Sequence, residues 1–68
     1  MINLTKRELD VIKLLALGKS NDEIAGELFI SVHTVKKNLE NIYDKIGYHN
    51  RVQVVIFALK NKLIEMPP

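Results

Sequence analysis

Apolar residues recur every three or four positions along most of this 68-residue chain. That spacing places them on one face of an α-helix, whereas a half-buried strand would alternate them every second position. Residues that interrupt helices are scarce, since there are three glycines and two prolines. The prolines, Pro67 and Pro68, end the chain, where we expect a frayed tail. The pattern predicts an all-α fold.

The starts of the predicted helices are marked by side chains that can cap them. Thr5 with Glu8, and Ser20 with Glu23, have the spacing of a capping box, in which a hydroxyl and an acid three residues later bond the free amides of a helix start. Ser31 supplies a hydroxyl for a third start. Three helix starts are therefore predicted by capping residues alone.

The ends of two predicted helices coincide with glycines. Gly18 and Gly47 follow the first and third apolar patterns, and glycine readily takes the left-handed conformation that closes a helix. A fourth helix is predicted to begin after Asn50. These limits give a single domain, residues 1–68, with helices at about 6–17, 21–28, 32–46 and 51–62.

The second and third helices are joined by two or three residues, from Phe29 to Ser31. So short a connection makes the two helices cross sharply. A short helix, a tight turn and a longer helix form a helix-turn-helix. The prediction is a four-helix bundle that contains this motif.

The third predicted helix has an apolar and a polar face. The apolar stripe contains Val32, Val35, Leu39, Ile42, Tyr43 and Ile46. The polar face contains His33, Thr34, Lys37, Glu40, Asn41 and Asp44, flanked by Lys36, Asn38 and Lys45. A polar helix face is most often simply solvated. In a helix-turn-helix, however, the first turns of this helix enter the major groove of DNA.

Several residues of the polar face suit base reading. Lysine donates to guanine O6 and N7, and asparagine pairs with adenine, which makes Lys36, Lys37 and Asn41 candidates. Glu40 is repelled by phosphate but can accept a hydrogen bond from cytosine N4. Glu40 is therefore either a specificity element or a residue that points away.

These residues resemble the LuxR/NarL-type helix-turn-helix domains, the DNA-binding output domains of many bacterial response regulators and quorum-sensing activators. The resemblance covers residues 4–64. It rests on Leu4-Thr5, Arg7-Glu8, Gly18, Ser20-Asn21, Glu23-Ile24-Ala25, Ser31, Thr34-Val35-Lys36, Lys45-Ile46-Gly47 and Asn50-Arg51. It implies a winged-helix-like effector fold without a wing, whose third helix reads the groove and whose fourth helix dimerises.

By position, the resemblance assigns Lys36 and Lys37 to the groove and Thr34 to a phosphate, while Glu40 and Asn41 match positions that vary with the target. The further DNA contacts that we expect are His33, Ser20, Asn21 and Lys45.

The chain departs from the family pattern at three positions. Asn38 stands where many members have His, Glu40 where several have a basic or small residue, and Lys62 where Gly is common. The first two departures affect the base preference and not the mode of binding.

The fourth predicted helix has more apolar residues than one core-facing stripe holds. If Val54, Val55, Ala58 and Leu59 point inward, the excess is Val52, Ile56 and Phe57. A contiguous exposed apolar patch is costly, and this excess is therefore a predicted dimer contact. The alternative is that the first helix or the tail covers it. A two-fold dimer predicts an inverted-repeat site with half-sites about one helical turn apart.

Arg51 has two predicted roles, an ion pair with Glu8 or Glu23 and a phosphate contact, of which the ion pair is favoured. No metal or cofactor is expected, because His33 and His49 are the only histidines and cysteine is absent. No catalytic set is expected either, since Ser20 is better explained as a helix cap.

Ten Lys and Arg against eight Asp and Glu give a net charge of +2, and the placement of charges must therefore define any nucleic-acid surface. No apolar run approaches the length of about 20 residues that spans a bilayer, and the absence of cysteine favours the cytoplasm.

We expect a non-enzymatic, sequence-specific double-stranded DNA-binding domain for transcription regulation. Its expected context is a two-component response regulator that acts as a homodimer and contacts RNA polymerase. The alternative is a helical protein-interaction module on the same scaffold. Lys36 and Lys37 favour DNA, whereas Glu40 and Asp44 favour the alternative.

Overall fold

The computed structural model describes residues 2–65, and the predicted tail at Pro67 and Pro68 lies outside this range. The chain forms four α-helices, α1 (Lys6–Ala16), α2 (Asn21–Leu28), α3 (Val32–Ile46) and α4 (Arg51–Lys60). Among the described residues there is no strand. The predicted all-α fold with a helix-turn-helix is therefore confirmed.

Both predicted capping boxes are present. The Glu8 amide donates to Thr5 Oγ1 at 3.1 Å, and the Thr5 amide donates to Glu8 Oε1 at 2.8 Å. The amides of Glu23 and Ser20 make the same exchange at 3.2 and 2.9 Å. These bonds occupy amides that have no partner within the first turn of a helix.

Three of the four helix ends lie within one residue of the prediction. Gly18 and Gly47 take the left-handed conformation, at φ 79° and 90°. The exception is α4, which ends at Lys60 and not near residue 62. Lys62 has a left-handed φ of 56°, and the Leu63 amide donates to the Ala58 carbonyl at 2.8 Å. A turn that closes a helix in this way normally contains glycine. Because a lysine stands there, the sequence did not indicate where α4 ends.

The core forms around α1, which contacts the other three helices, while α2 also packs on α3. Its buried apolar side chains are Val11, Ile12, Leu15, Ile24, Ala25, Val35, Leu39, Ile42, Val54, Ala58 and Ile64. α1 packs on both helices of the helix-turn-helix. The core thereby fixes which side of α3 faces solvent.

Candidate nucleic-acid interface

The apolar stripe of α3 sets the rotation of this helix. Val35, Leu39 and Ile42 are buried, and the other predicted members of the stripe are half-buried against the core. The predicted inward face is thus confirmed. The opposite side of α3 is exposed along its full length.

Six of the predicted DNA-contacting residues lie together on this exposed side. We call them the reading face, which consists of His33, Thr34, Lys36, Lys37, Glu40 and Asn41. All six side chains are exposed. Asp44 is also exposed, one turn beyond Glu40.

The start of α3 is fixed by Ser31. Its hydroxyl accepts a hydrogen bond from the Thr34 amide at 3.0 Å and lies 2.9 Å from the Thr34 hydroxyl. The remaining amides of the first turn point out along the helix axis, where the helix dipole favours an anion. The start of α3 is therefore suited to a phosphate oxygen.

Opposite charges meet on the reading face. Lys37 Nζ lies 3.8 Å from Glu40 Oε2, and the two side chains are 67% and 69% exposed. An exposed ion pair of this kind contributes little to the stability of a fold. The pair is accessible to a ligand that approaches α3.

Asn21, at the start of α2, joins this helix to α4. Its Oδ1 accepts a hydrogen bond from Arg51 Nη2 at 2.9 Å. The predicted ion pair of Arg51 with Glu8 or Glu23 is therefore wrong. Glu8 is bound by Lys45, and the Glu23 carboxylate accepts from the Ser20 amide.

Lys45 is separated from the reading face by its contact with α1. Its Nζ lies 2.7 Å from Oε1 of Glu8, a residue that is only 3% exposed. Burial raises the pKa of Glu8, but the hydrogen bonds from Lys45 and Thr5 and the charge of Lys45 bring that pKa below 4.5. The prediction that Lys45 contacts DNA has no support in this geometry, because its ammonium group already neutralises a buried carboxylate.

Ser20 is exposed beside Asn21, and its hydroxyl accepts from the Glu23 amide. The same exchange lowers the pKa of Glu23, chiefly through the hydrogen bond from the Ser20 amide. Ser20 and Asn21 thus lie at the start of α2 and not on α3.

Two features near the motif were not predicted. Phe29, in the turn between α2 and α3, has a left-handed φ of 56° and a side chain that is 94% exposed. Asn38 has a buried Nδ2 with no hydrogen-bond partner in the described part of the chain. A phenylalanine or an asparagine in a sequence does not predict these features, because both depend on how the neighbouring helices pack.

The excess apolar surface of α4 is uncovered in the structure of residues 2–65. Val52 and Ile56 are 62% and 46% exposed. Phe57 is half-buried, with its ring centroid 6.2 Å from that of Tyr48. Beside them lies a shallow groove of about 250 Å³, lined by Tyr48, Gln53, Ile56, Phe57, Lys60 and Asn61. We call Val52, Ile56 and Phe57 the α4 patch.

Two further findings apply to the described residues. No helix there has the length and apolar character needed to cross a membrane. No group of three or more acidic, histidine or cysteine side chains is arranged to hold a metal ion.

Comparisons with known proteins agree with this geometry. Residues 2–58 match the GerE family, described as bacterial regulatory proteins of the luxR family. The chain is 45% identical over 62 residues to the transcriptional regulatory protein LiaR of Bacillus subtilis (strain 168), covering 91% of this chain and 29% of LiaR. The identity and coverage are the same for the oxygen regulatory protein NreC of Staphylococcus aureus (strain JH9).

A solved structure is similar over the same region. It is the crystal structure of the response regulator ChrA of a heme-sensing two-component system, with a TM-score of 0.88 and 40% sequence identity. The match covers 91% of this chain and 31% of ChrA. The chain thus spans less than a third of each of these proteins.

Proposed function

Because the chain belongs to the luxR family of bacterial regulatory proteins, we propose that it binds double-stranded DNA sequence-specifically and regulates transcription. The observation that carries the proposal is the reading face, six exposed polar and charged residues on the second helix of a helix-turn-helix. In this motif that helix enters the major groove. Its context is a two-component response regulator in the cytoplasm, and its role is not enzymatic.

In this proposal α3 enters the groove from its start to Asn41. Lys36, Lys37 and Asn41 meet base edges, while Thr34 and the start of α3 meet a phosphate. Ser20 and Asn21 contact the backbone from the start of α2. Asp44, one turn further along α3 than Glu40, stays outside the groove.

Dimerisation occurs through the α4 patch. Burying Val52 and Ile56 between two copies removes apolar surface that is 62% and 46% exposed in the monomer. A two-fold dimer would present two copies of α3 to half-sites about one helical turn apart. We also propose that the DNA-bound regulator contacts RNA polymerase.

A protein-interaction module is the second candidate, and Phe29 favours it. Its side chain is 94% exposed in a left-handed turn, and aromatic side chains are enriched at protein–protein interfaces. This candidate predicts a module with no preference among DNA sequences.

The experiment that separates the two is selection of binding sites from a pool of random duplex DNA. The proposal predicts an enriched inverted repeat that binds at least about a thousandfold more tightly than shuffled duplex. A pool that shows no enrichment after repeated rounds would contradict DNA reading and favour the protein-interaction module.

A further inference from the structure

The ion pair of Lys37 and Glu40 occupies the centre of the reading face. The two residues are three positions apart, and their charged ends therefore project from α3 side by side. Both are more than two-thirds exposed, at 67% and 69%, and the fold does not need the pair for stability. In the proposed complex both ends enter the major groove together.

A carboxylate in the groove requires a hydrogen-bond donor. Phosphates repel it, and a desolvated charge without a partner is costly. The base edges of the major groove offer two donors, N4 of cytosine and N6 of adenine. Lys37 requires an acceptor, which guanine O6 and N7, thymine O4 or adenine N7 can supply.

The geometry of the pair matches one base pair. In the major groove, the amino group of one base is hydrogen-bonded to the carbonyl group of the other. The amino nitrogen and the carbonyl oxygen are therefore about 3 Å apart. This separation is close to the 3.8 Å between Lys37 Nζ and Glu40 Oε2. The ammonium and the carboxylate can therefore contact the two bases of one pair simultaneously.

The base pair that suits this arrangement is G·C. Guanine presents two acceptors to the ammonium group, and cytosine N4 donates to the carboxylate. In a T·A pair the ammonium group would have thymine O4 as its single acceptor, beside the thymine methyl. In the reversed pairs the carboxylate would face an acceptor, O6 of guanine or O4 of thymine.

We infer that Lys37 and Glu40 read one G·C base pair as a unit, with Lys37 donating to guanine and Glu40 accepting from cytosine N4. The inference rests on the proposed function and adds to it the identity of one base pair. Glu40 is thereby a specificity-determining residue and not merely an acidic residue that repels DNA.

The test uses the selected site and a set of duplexes in which each base pair of the half-site is replaced in turn. For the wild-type chain, one G·C pair should be found whose replacement weakens binding by about fivefold or more. Glu40→Ala and Lys37→Ala should each remove that preference, and at the same base pair. The double variant should show no further loss of discrimination there.

Asp44→Ala is the matched control, because it removes the same charge one turn further along α3. It should leave every base preference unchanged. Since Lys37, Glu40 and Asp44 are all exposed, the melting curves of the variants should match the wild type.

Two results would overturn the inference. In the first, Glu40→Ala raises the affinity for all duplexes by one common factor, as expected of a residue that only repels phosphate. In the second, Glu40→Ala and Lys37→Ala alter different base pairs. Failure of the proposed function is recognised separately, because the wild-type chain would then select no site at all.

Discussion

Lys45 Nζ donates a hydrogen bond to Glu8 Oε1 over 2.7 Å and so joins the last turn of α3 to the first turn of α1. The same carboxylate oxygen accepts from the Thr5 amide at 2.8 Å. One buried acid therefore caps α1 and anchors α3. The contact ties the end of α3 to the start of α1, although neither residue belongs to the reading face.

Glu8→Gln should make the stability of the chain less dependent on pH. The pKa of Glu8 is lowered in the folded state, and its contribution is therefore present above the unfolded pKa and lost as the pH falls through the folded pKa. At pH 7 the variant should lose about 1.5 to 3 kcal/mol of unfolding free energy, the range for hydrogen bonds to charged groups.

Urea unfolding at pH values from about 7 to 3 measures how the free energy of unfolding changes, because carboxyl groups titrate within that range. The difference between wild type and variant should shrink below the ordinary pKa of 4.5. Glu27→Gln, at an exposed site, is the control. A difference for Glu8→Gln that stays constant down to low pH would contradict the role assigned to the ionised carboxylate.

Lys45→Met should lower stability without changing the charge contacts with DNA. The Glu8 carboxylate would stay buried with one partner fewer, at a cost of about 1 to 3 kcal/mol. The slope of log affinity against log salt concentration should match the wild type, because Lys45 neutralises Glu8 and meets no phosphate in the proposed complex. A reduced slope for Lys45→Met would return Lys45 to the DNA contacts.

Lys62→Gly should stabilise the chain by about 1 kcal/mol, because a left-handed conformation costs a residue with a side chain about that much. Lys62 has a φ of 56°. Phe29→Gly should act in the same direction, since its φ is also 56° and its 94% exposed side chain adds little packing. Thermal unfolding checks both. Lys60→Gly, within α4, should instead destabilise, and a loss for Lys62→Gly as well would refute the strain at residue 62.

Ile56→Glu should abolish cooperative occupation of two half-sites, because a charge would replace an apolar side chain in the α4 patch. Titration of a duplex with two half-sites, compared with a duplex containing one, measures the cooperativity. Leu17→Glu is the matched control, since Leu17 is 51% exposed and lies at the end of α1. Cooperativity that survives Ile56→Glu would show that dimerisation uses another surface.

The sequence predicts what local patterns determine. Thr5, Ser20 and Ser31 cap helices through residues three positions away, and the apolar spacing of α3 identifies its buried side. The reading face could therefore be predicted almost completely.

The contacts between helices could not be predicted in this way. Glu8 and Lys45 are 37 positions apart, and Asn21 and Arg51 are 30 positions apart. Their pairing depends on how the four helices pack, which no local sequence pattern specifies. The end of α4 was also missed, because Lys62 takes a conformation that favours glycine.

The most direct test of the account is the affinity for the selected duplex, measured by fluorescence anisotropy at several salt concentrations. The logarithm of the affinity should fall linearly with the logarithm of salt concentration, because positive charges of the protein brought close to the phosphates release counterions from the DNA. Lys37→Ala should cost about 1 to 3 kcal/mol on the selected site and much less on random duplex, as expected of a base-reading residue. An affinity that does not fall with salt, or equal losses on both duplexes, would contradict DNA reading by α3.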